Sequence, residues 1–388
     1  MFFELASSSW GKEETQAIQD VIASDRFTMG ERVKEFELRF ANKMGMKHAV
    51  MVSSGSTANL VATAALSFKK DRPLQRGDEV IVPAISWATT YYPLQQYGLK
   101  LRFVDVDLNN LGMDVSKLEQ ALTPNTRMVV GVSILGNPAA LDVMRAFCDR
   151  HNLYLFEDNC ESLGAELNGK KCGTFGDINT FSFFFSHHVA TMEGGMILTD
   201  DEELYHLCLS LRAHGWVRDL PHDTSLCDRQ EDAFNEAYRF ILPGYNARPL
   251  EMSGAIGIEQ LKKLDAMTEV RRQNAEIFRE LFSDDERFIL QKENGRSSCF
   301  SFTMIIKPES GIDRPQVFDK LRSADIGFRM ITGGNFLRHD VIRYFDYDVV
   351  GGATPNADLA HDNGFFVGNH PHDLRPQLER LQQVLSEC

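Results

Sequence analysis

The chain has 388 residues, of which 43% are apolar and 25% charged, and a formal net charge of −14. That length exceeds what one hydrophobic core usually organises, so two domains are expected, and the acidic balance argues against a nucleic-acid-binding surface. No apolar run reaches membrane-spanning length, and the opening Met1-Phe2-Phe3-Glu4 lacks the basic flank of a signal peptide. The seven cysteines are spread out, as reduced thiols of a cytoplasmic protein are, and form no tight cluster for zinc or iron–sulfur ligation.

In chain order, the first two-thirds alternates short β-type runs with helical patterns, which predicts a mainly parallel sheet with helical crossovers. The runs are His48–Val52, Glu79–Val82, Leu101–Val104, Met128–Val132, Tyr154–Phe156, Thr180–Phe184 and Met196–Leu198. Helical stretches Ala58–Lys69, Asp114–Ala121 and Leu141–His151 fall between them, and turns are marked at Gln75-Arg76-Gly77-Asp78 and Asn168-Gly169. Val217–Glu236 is polar and Asp-rich and reads as a long surface excursion. A long helix is expected over Glu251–Phe282. It leads into a smaller unit with a strand near Cys299–Ile306 and helices near Pro315–Ala324 and Leu374–Ser386. The expected domains are therefore 1–249 and 250–388.

Several segments carry chemistry. Ser53-Ser54-Gly55-Ser56-Thr57-Ala58 follows a strand and opens a helix, so the first-turn amides of Gly55 and Ser56, with the hydroxyls of Ser56 or Thr57, suit a phosphate. An ordinary capped helix would look similar. Trp87, just past another strand, offers a face for a flat heterocycle, although tryptophan is more often a packing residue. Asp158 ends an apolar strand, where α/β sheets present ligands, and a carboxylate there can keep a pyridine nitrogen protonated. About thirty residues further on comes Phe181-Ser182-Phe183-Phe184-Phe185-Ser186-His187-His188, followed by Glu193-Gly194-Gly195, in a stretch without lysine between Lys171 and Lys262.

This succession, with Thr28-Met29-Gly30, Asp105-Val106-Asp107, Gly136-Asn137-Pro138 and Leu242-Pro243-Gly244-Tyr245-Asn246-Ala247-Arg248, resembles the DegT/DnrJ/EryC1 family of sugar aminotransferases over nearly the whole chain. The resemblance implies an aspartate-aminotransferase fold (PLP fold type I): an α/β domain around a mostly parallel sheet, with a smaller C-terminal α+β domain. It also implies pyridoxal 5′-phosphate (PLP) or pyridoxamine 5′-phosphate (PMP) as cofactor, and a homodimer whose Asn246 reaches the partner's site. Ser182 would hydrogen-bond the phosphate, and Glu161 would touch the cofactor face or the substrate. The family lysine that binds the cofactor covalently aligns with His187, and its following Asn with His188.

That exchange resembles the family's 3-dehydratase branch, which serves colitose biosynthesis. The implied reaction is removal of the C3 hydroxyl from a nucleotide-linked 4-keto-6-deoxy sugar, GDP-4-keto-6-deoxy-D-mannose by whole-chain resemblance, with L-glutamate as amino donor. His187 would be base and then acid, as an imidazole of ordinary pKa near roughly 6.5 can be at neutral pH. His188, His214, Arg248, Arg329 and His370 are candidates for substrate or subunit contacts. Three alternatives stand beside this reading: an ordinary aminotransferase, which lacks its lysine here; an iron–sulfur-coupled dehydrase, which lacks its cysteine cluster; and a non-catalytic PLP-binding module.

Overall fold

The computed structural model describes residues 2–388. Among them the larger sheet has eight strands, in the spatial order His48–Val52, Gly195–Thr199, Ile178–Ser182, Tyr154–Asp158, Thr126–Val132, Glu79–Pro83, Lys100–Val104 and Tyr347–Val349. All neighbours from Ile178–Ser182 onward run parallel, whereas Gly195–Thr199 is antiparallel to both strands beside it. The inner strands read as unbroken apolar runs because helices cover both faces. Val61, Leu66 and Leu207 pack on one face, and Met144, Phe147 and Leu153 on the other.

The smaller sheet is antiparallel, in the order Phe288–Leu290, Ser301–Ile306, Gly364–Gly368 and Phe328–Arg329, over a core that includes Phe278, Phe302, Phe365 and Leu381. The expected long helix is present over Glu251–Phe282 and joins the two bodies. It packs on helices Lys12–Ser24 and Glu31–Met44 of the large domain and delivers Ala275, Phe278 and Phe282 to the small core.

Two segments cross the 249/250 division expected from the sequence. Tyr347–Val349 forms the eighth strand of the large sheet, and Phe3 is buried in the small core, bridged to Ile326. The strand expected over Thr180–Phe184 runs instead over Ile178–Ser182, and Phe183 and Phe184 already turn into the loop that carries His187. Val217–Glu236 is irregular except for a short helical turn, Ala233–Glu236, capped by Asp232.

Candidate active site

A cleft of about 670 Å³ opens at the carboxyl ends of the parallel strands, between the large sheet and the small domain. One wall is the start of helix Gly55–Phe68. Ser54 caps it, accepting from the Thr57 amide at 3.1 Å, while the Thr57 hydroxyl donates back to the Ser54 carbonyl at 2.9 Å. Of the two hydroxyls read from the sequence as phosphate donors, Thr57's is therefore committed to the cap, and only Ser56 lines the cleft. Among the described residues the amides of Gly55 and Ser56 make no hydrogen bond, which leaves two donors at the positive end of the helix. Gly55 is required for close approach: a Cβ there would fall 2.5 Å from Ser182 Cβ, so its absence brings the Ser182 hydroxyl alongside the cradle.

Asp158 forms the floor and is 4% exposed. Its Oδ2 accepts from Asn59 Nδ2 at 2.9 Å and from the Thr90 hydroxyl at 2.8 Å, and its Oδ1 accepts from the Cys160 amide at 3.1 Å. Three donors hold it as a buried carboxylate in one orientation. Asn59 is fixed in turn by the Thr180 hydroxyl at 2.6 Å. Trp87 stands at the rim with 59% of its surface exposed, a free aromatic face.

His187 projects into the cleft from the loop after Ile178–Ser182, its ring edge-on to Phe300 at 5.3 Å between centroids. Its Nδ1 has no hydrogen-bond partner among the described residues. Burial pulls its pKa down to about 4, aided by the charge of Arg271 and opposed by the Cys160 and Ser182 carbonyls and by Asp158. At neutral pH it is a free base. His188 points away from the cleft: it is buried, and its Nε2 donates to the Ser298 carbonyl at 3.0 Å. No lysine lines the cleft among the described residues.

Glu161 is in the wall, where its carboxylate accepts from the Leu135 amide at 2.8 Å and the Thr332 hydroxyl at 3.3 Å. Burial, with the negative charge of Asp158 adding to it, raises its pKa to about 7. Arg329 and His370 also line the cleft. His370 donates to the Glu4 carbonyl at 2.7 Å and is depressed to about 4, chiefly by burial. Asn246, His214 and Arg248 do not line this cleft. Asn246 is exposed and accepts from Arg248 Nε at 3.1 Å, and His214 packs against Trp216. Sequence reading missed Asn59 and Thr90 as the residues that fix Asp158. Neither stands in a recognisable spacing to it.

The donor set fits a flat, phosphate-bearing heterocycle with a basic ring nitrogen. The free Gly55 and Ser56 amides, with the Ser182 hydroxyl beside them, suit the phosphate, Trp87 the ring face, and the anchored Asp158 the nitrogen; the Ser56 hydroxyl donates to Thr89 Oγ1 at 2.9 Å. Comparison with known proteins agrees. The chain is 52% identical to a GDP-4-keto-6-deoxy-D-mannose 3-dehydratase of Yersinia pseudotuberculosis, over 99% of this chain and 98% of the relative. The Escherichia coli GDP-4-keto-6-deoxy-D-mannose-3-dehydratase with bound hydrated PLP superposes with a TM-score of 0.97 at 52% identity, covering 99% of each chain. A GDP-4-keto-6-deoxymannose-3-dehydratase structure with a trapped PLP-glutamate geminal diamine also gives 0.97 at 52% identity, over 99% of this chain and 100% of that one. The profile of the DegT/DnrJ/EryC1/StrS aminotransferase family matches residues 8–385, so the cleft, with histidine where that family's lysine is expected, is the site of a chain that belongs to that family.

Proposed function

We propose that this protein is a PLP/PMP-dependent 3-dehydratase that removes the C3 hydroxyl of a nucleotide-linked 4-keto-6-deoxy sugar, GDP-4-keto-6-deoxy-D-mannose, with L-glutamate as amino donor. The observation that carries this reading is a cleft in which the Gly55 and Ser56 amides, Asp158 and the His187 ring converge and which, among the described residues, no lysine lines. PMP, when bound, supplies the amine that condenses with the sugar ketone and an electron-accepting ring.

The chain's own residues do the rest. The Gly55 and Ser56 amides with the Ser182 hydroxyl would hold the phosphate, Trp87 would stack on the ring, and Asp158 would pair with its nitrogen. His187 would take a proton at its ring and return it to the departing C3 hydroxyl, which cannot leave unprotonated; Nδ1 is sealed from the cleft, so Nε2 is the nitrogen that would do so. A lysine here would bind the cofactor covalently and favour an amine product. Glu161 lies within the same wall and would hydrogen-bond the cofactor face or the sugar.

The reading includes a second copy of the chain. Asn246 and Arg248 do not line their own cleft, and the preceding segment exposes Phe234, Tyr238 and Phe240, at 78%, 67% and 56%. A homodimer would cover these aromatics and carry Asn246 to the partner's phosphate cradle. A cytoplasmic location fits seven free thiols, and among the described residues no helix is long and apolar enough to cross a membrane.

The test is to incubate the protein with GDP-4-keto-6-deoxymannose, PLP and L-glutamate and weigh the sugar. A ketone lighter by one oxygen, with equal 2-oxoglutarate and ammonia, is the expected result. A sugar with amine in place of ketone would instead identify a transaminase that works without lysine.

A further inference from the structure

His187 stands in a stretch, residues 183–194, that joins strands Ile178–Ser182 and Gly195–Thr199 and has no helix or strand of its own. Backbone bonds close its base: the Phe183 amide donates to the Gly194 carbonyl at 2.8 Å, and the Thr191 amide to the Phe183 carbonyl at 2.9 Å. The His187 amide is tied within the loop, to the Phe184 carbonyl at 2.9 Å, and Nδ1 of its ring has no partner among the described residues. The ring is therefore placed through the backbone that follows it.

Each of the next three residues is held from outside the loop. His188 Nε2 donates to the Ser298 carbonyl, and Val189 is buried in the cluster that includes Phe36, Phe40 and Leu261. Ala190 has both backbone groups taken by side chains. The Trp10 indole Nε1 donates to its carbonyl at 2.8 Å, and its amide donates to Gln260 Oε1 at 3.2 Å. Ala190 is 1% exposed, so water does not stand in for either partner.

Gln260, fully buried in the long helix Glu251–Phe282, has its amide orientation fixed. Its Nε2 faces two groups that can only accept, the Glu14 carboxylate at 2.7 Å and the Ser9 carbonyl at 3.3 Å. Its Oε1 is thereby turned to the Ala190 amide and to the Ser9 hydroxyl, which donates at 2.8 Å. Ser9 and Trp10 belong to the irregular segment before helix Lys12–Ser24. That segment, the long helix and the His187 loop thus meet at one peptide.

We propose that Trp10 and Gln260 are positioning residues that hold the His187 imidazole in place for proton transfer by clamping both backbone groups of Ala190. This rests on the reading of His187 as the proton-transfer group. Only His188 and Val189 stand between the clamp and His187, so slack at Ala190 passes to the ring. None of Trp10, Gln260 and Ala190 lines the cleft, so the clamp bears on the chemical step and not on binding of sugar or cofactor.

The experiment compares PMP-loaded wild type with Trp10→Phe, Gln260→Met and Leu385→Ala. Trp10→Phe keeps an aromatic body and deletes the N–H that holds the Ala190 carbonyl. Gln260→Met keeps the length of the side chain and removes the acceptor of the Ala190 amide. Leu385→Ala lowers stability from the small-domain core, away from the clamp. The readouts are the single-turnover rate of dehydration at saturating sugar, the sugar concentration that half-saturates it, and hydrogen exchange of the peptide spanning 183–194. Trp10→Phe and Gln260→Met are expected to slow the turnover by about tenfold or more, towards the ~10²-fold that a displacement of about 1 Å can cost. Half-saturation should stay at its wild-type value while exchange in 183–194 becomes faster. Leu385→Ala should keep the wild-type rate.

A wild-type rate in any clamp variant that folds would overturn the proposal, and so would a slowed rate without faster exchange in the loop. Equal slowing in Leu385→Ala, or a shift in half-saturation that accounts for the loss, would overturn it as well. If wild type makes no deoxy sugar, the functional reading fails on its own. Unchanged loop exchange in the variants would then still overturn the clamp, and faster exchange would uphold it.

Discussion

Asn59 Nδ2 donates to the Asp158 carboxylate at 2.9 Å from a side chain only 2% exposed, and its own Oδ1 accepts from Thr180 at 2.6 Å. The Asp158 carboxylate and the Thr89 carbonyl can only accept, so together they fix which end of the amide faces them. In the proposed role Asp158 would meet a ring nitrogen in an orientation set by a residue that no sequence spacing connects to it. Asn59→Leu keeps the volume but removes a charge-assisted hydrogen bond of roughly 1.5–3 kcal/mol. Part of that loss should appear as a hold on PLP weakened by about tenfold or more, measured by equilibrium dialysis with absorbance of retained cofactor. Unchanged retention would mean that Thr90 and the Cys160 amide suffice.

His187→Lys is expected to convert the protein from one that binds cofactor reversibly to one that binds it covalently. Borohydride reduction followed by intact mass would detect the adduct. Dehydration should fall by at least ~10²-fold, the usual scale for loss of a positioned acid–base group. Dehydration at the wild-type rate in this variant would remove His187 from its assigned role.

Which parts of this site were legible in the sequence follows from how local their signals are. The inner strands announced themselves because both faces are covered, so Val80, Val129 and Leu155 sit in uninterrupted apolar runs. Asp158 was found because it ends such a run, and His187 because the family resemblance places the cofactor-binding lysine at its position. The Asn59–Asp158–Thr90 network joins two crossover helices to the end of a strand, and no spacing rule connects them. Tyr347–Val349 is three residues long and joins the sheet edge beside Lys100–Val104, too short a run to show a period. Arg271 is buried where the small domain closes over the long helix and supplies the Asn369 carbonyl it donates to, a contact no local pattern announces.

Glu161 makes the stability of the cofactor-free protein pH-dependent. Its folded pKa of about 7 exceeds its ordinary 4.5. Between these values the native state holds a proton that the unfolded chain releases, so its contribution is fully present below 4.5 and is lost as pH rises through about 7. Glu161→Gln removes that loss. Urea unfolding of the two proteins should show the variant gaining about 3 kcal/mol on wild type between pH 4.5 and 8. Parallel curves would mean that Glu161 is ionised throughout in the folded protein.

Gly195 tests how the phosphate cradle is held from below. It begins strand Gly195–Thr199 opposite Val52 and Ser182, and a Cβ there would lie 2.2 Å from the Ser54 carbonyl oxygen and 2.8 Å from the Gly55 amide nitrogen. Both contacts are with backbone, which cannot swing aside as a flexible side chain would. Gly195→Ala must push the Ser54–Gly55 turn away from the strand, at a cost of about 1–3 kcal/mol for overpacking. Because Ser54 caps the helix and Gly55 supplies a free amide, the displacement should also open the anion site. The expected outcome is a lower urea midpoint together with weaker binding of PLP, while pyridoxal without its phosphate binds as weakly to the variant as to wild type. If PLP and pyridoxal lose affinity equally, the turn governs the ring rather than the phosphate, and the cradle lies elsewhere in the cleft.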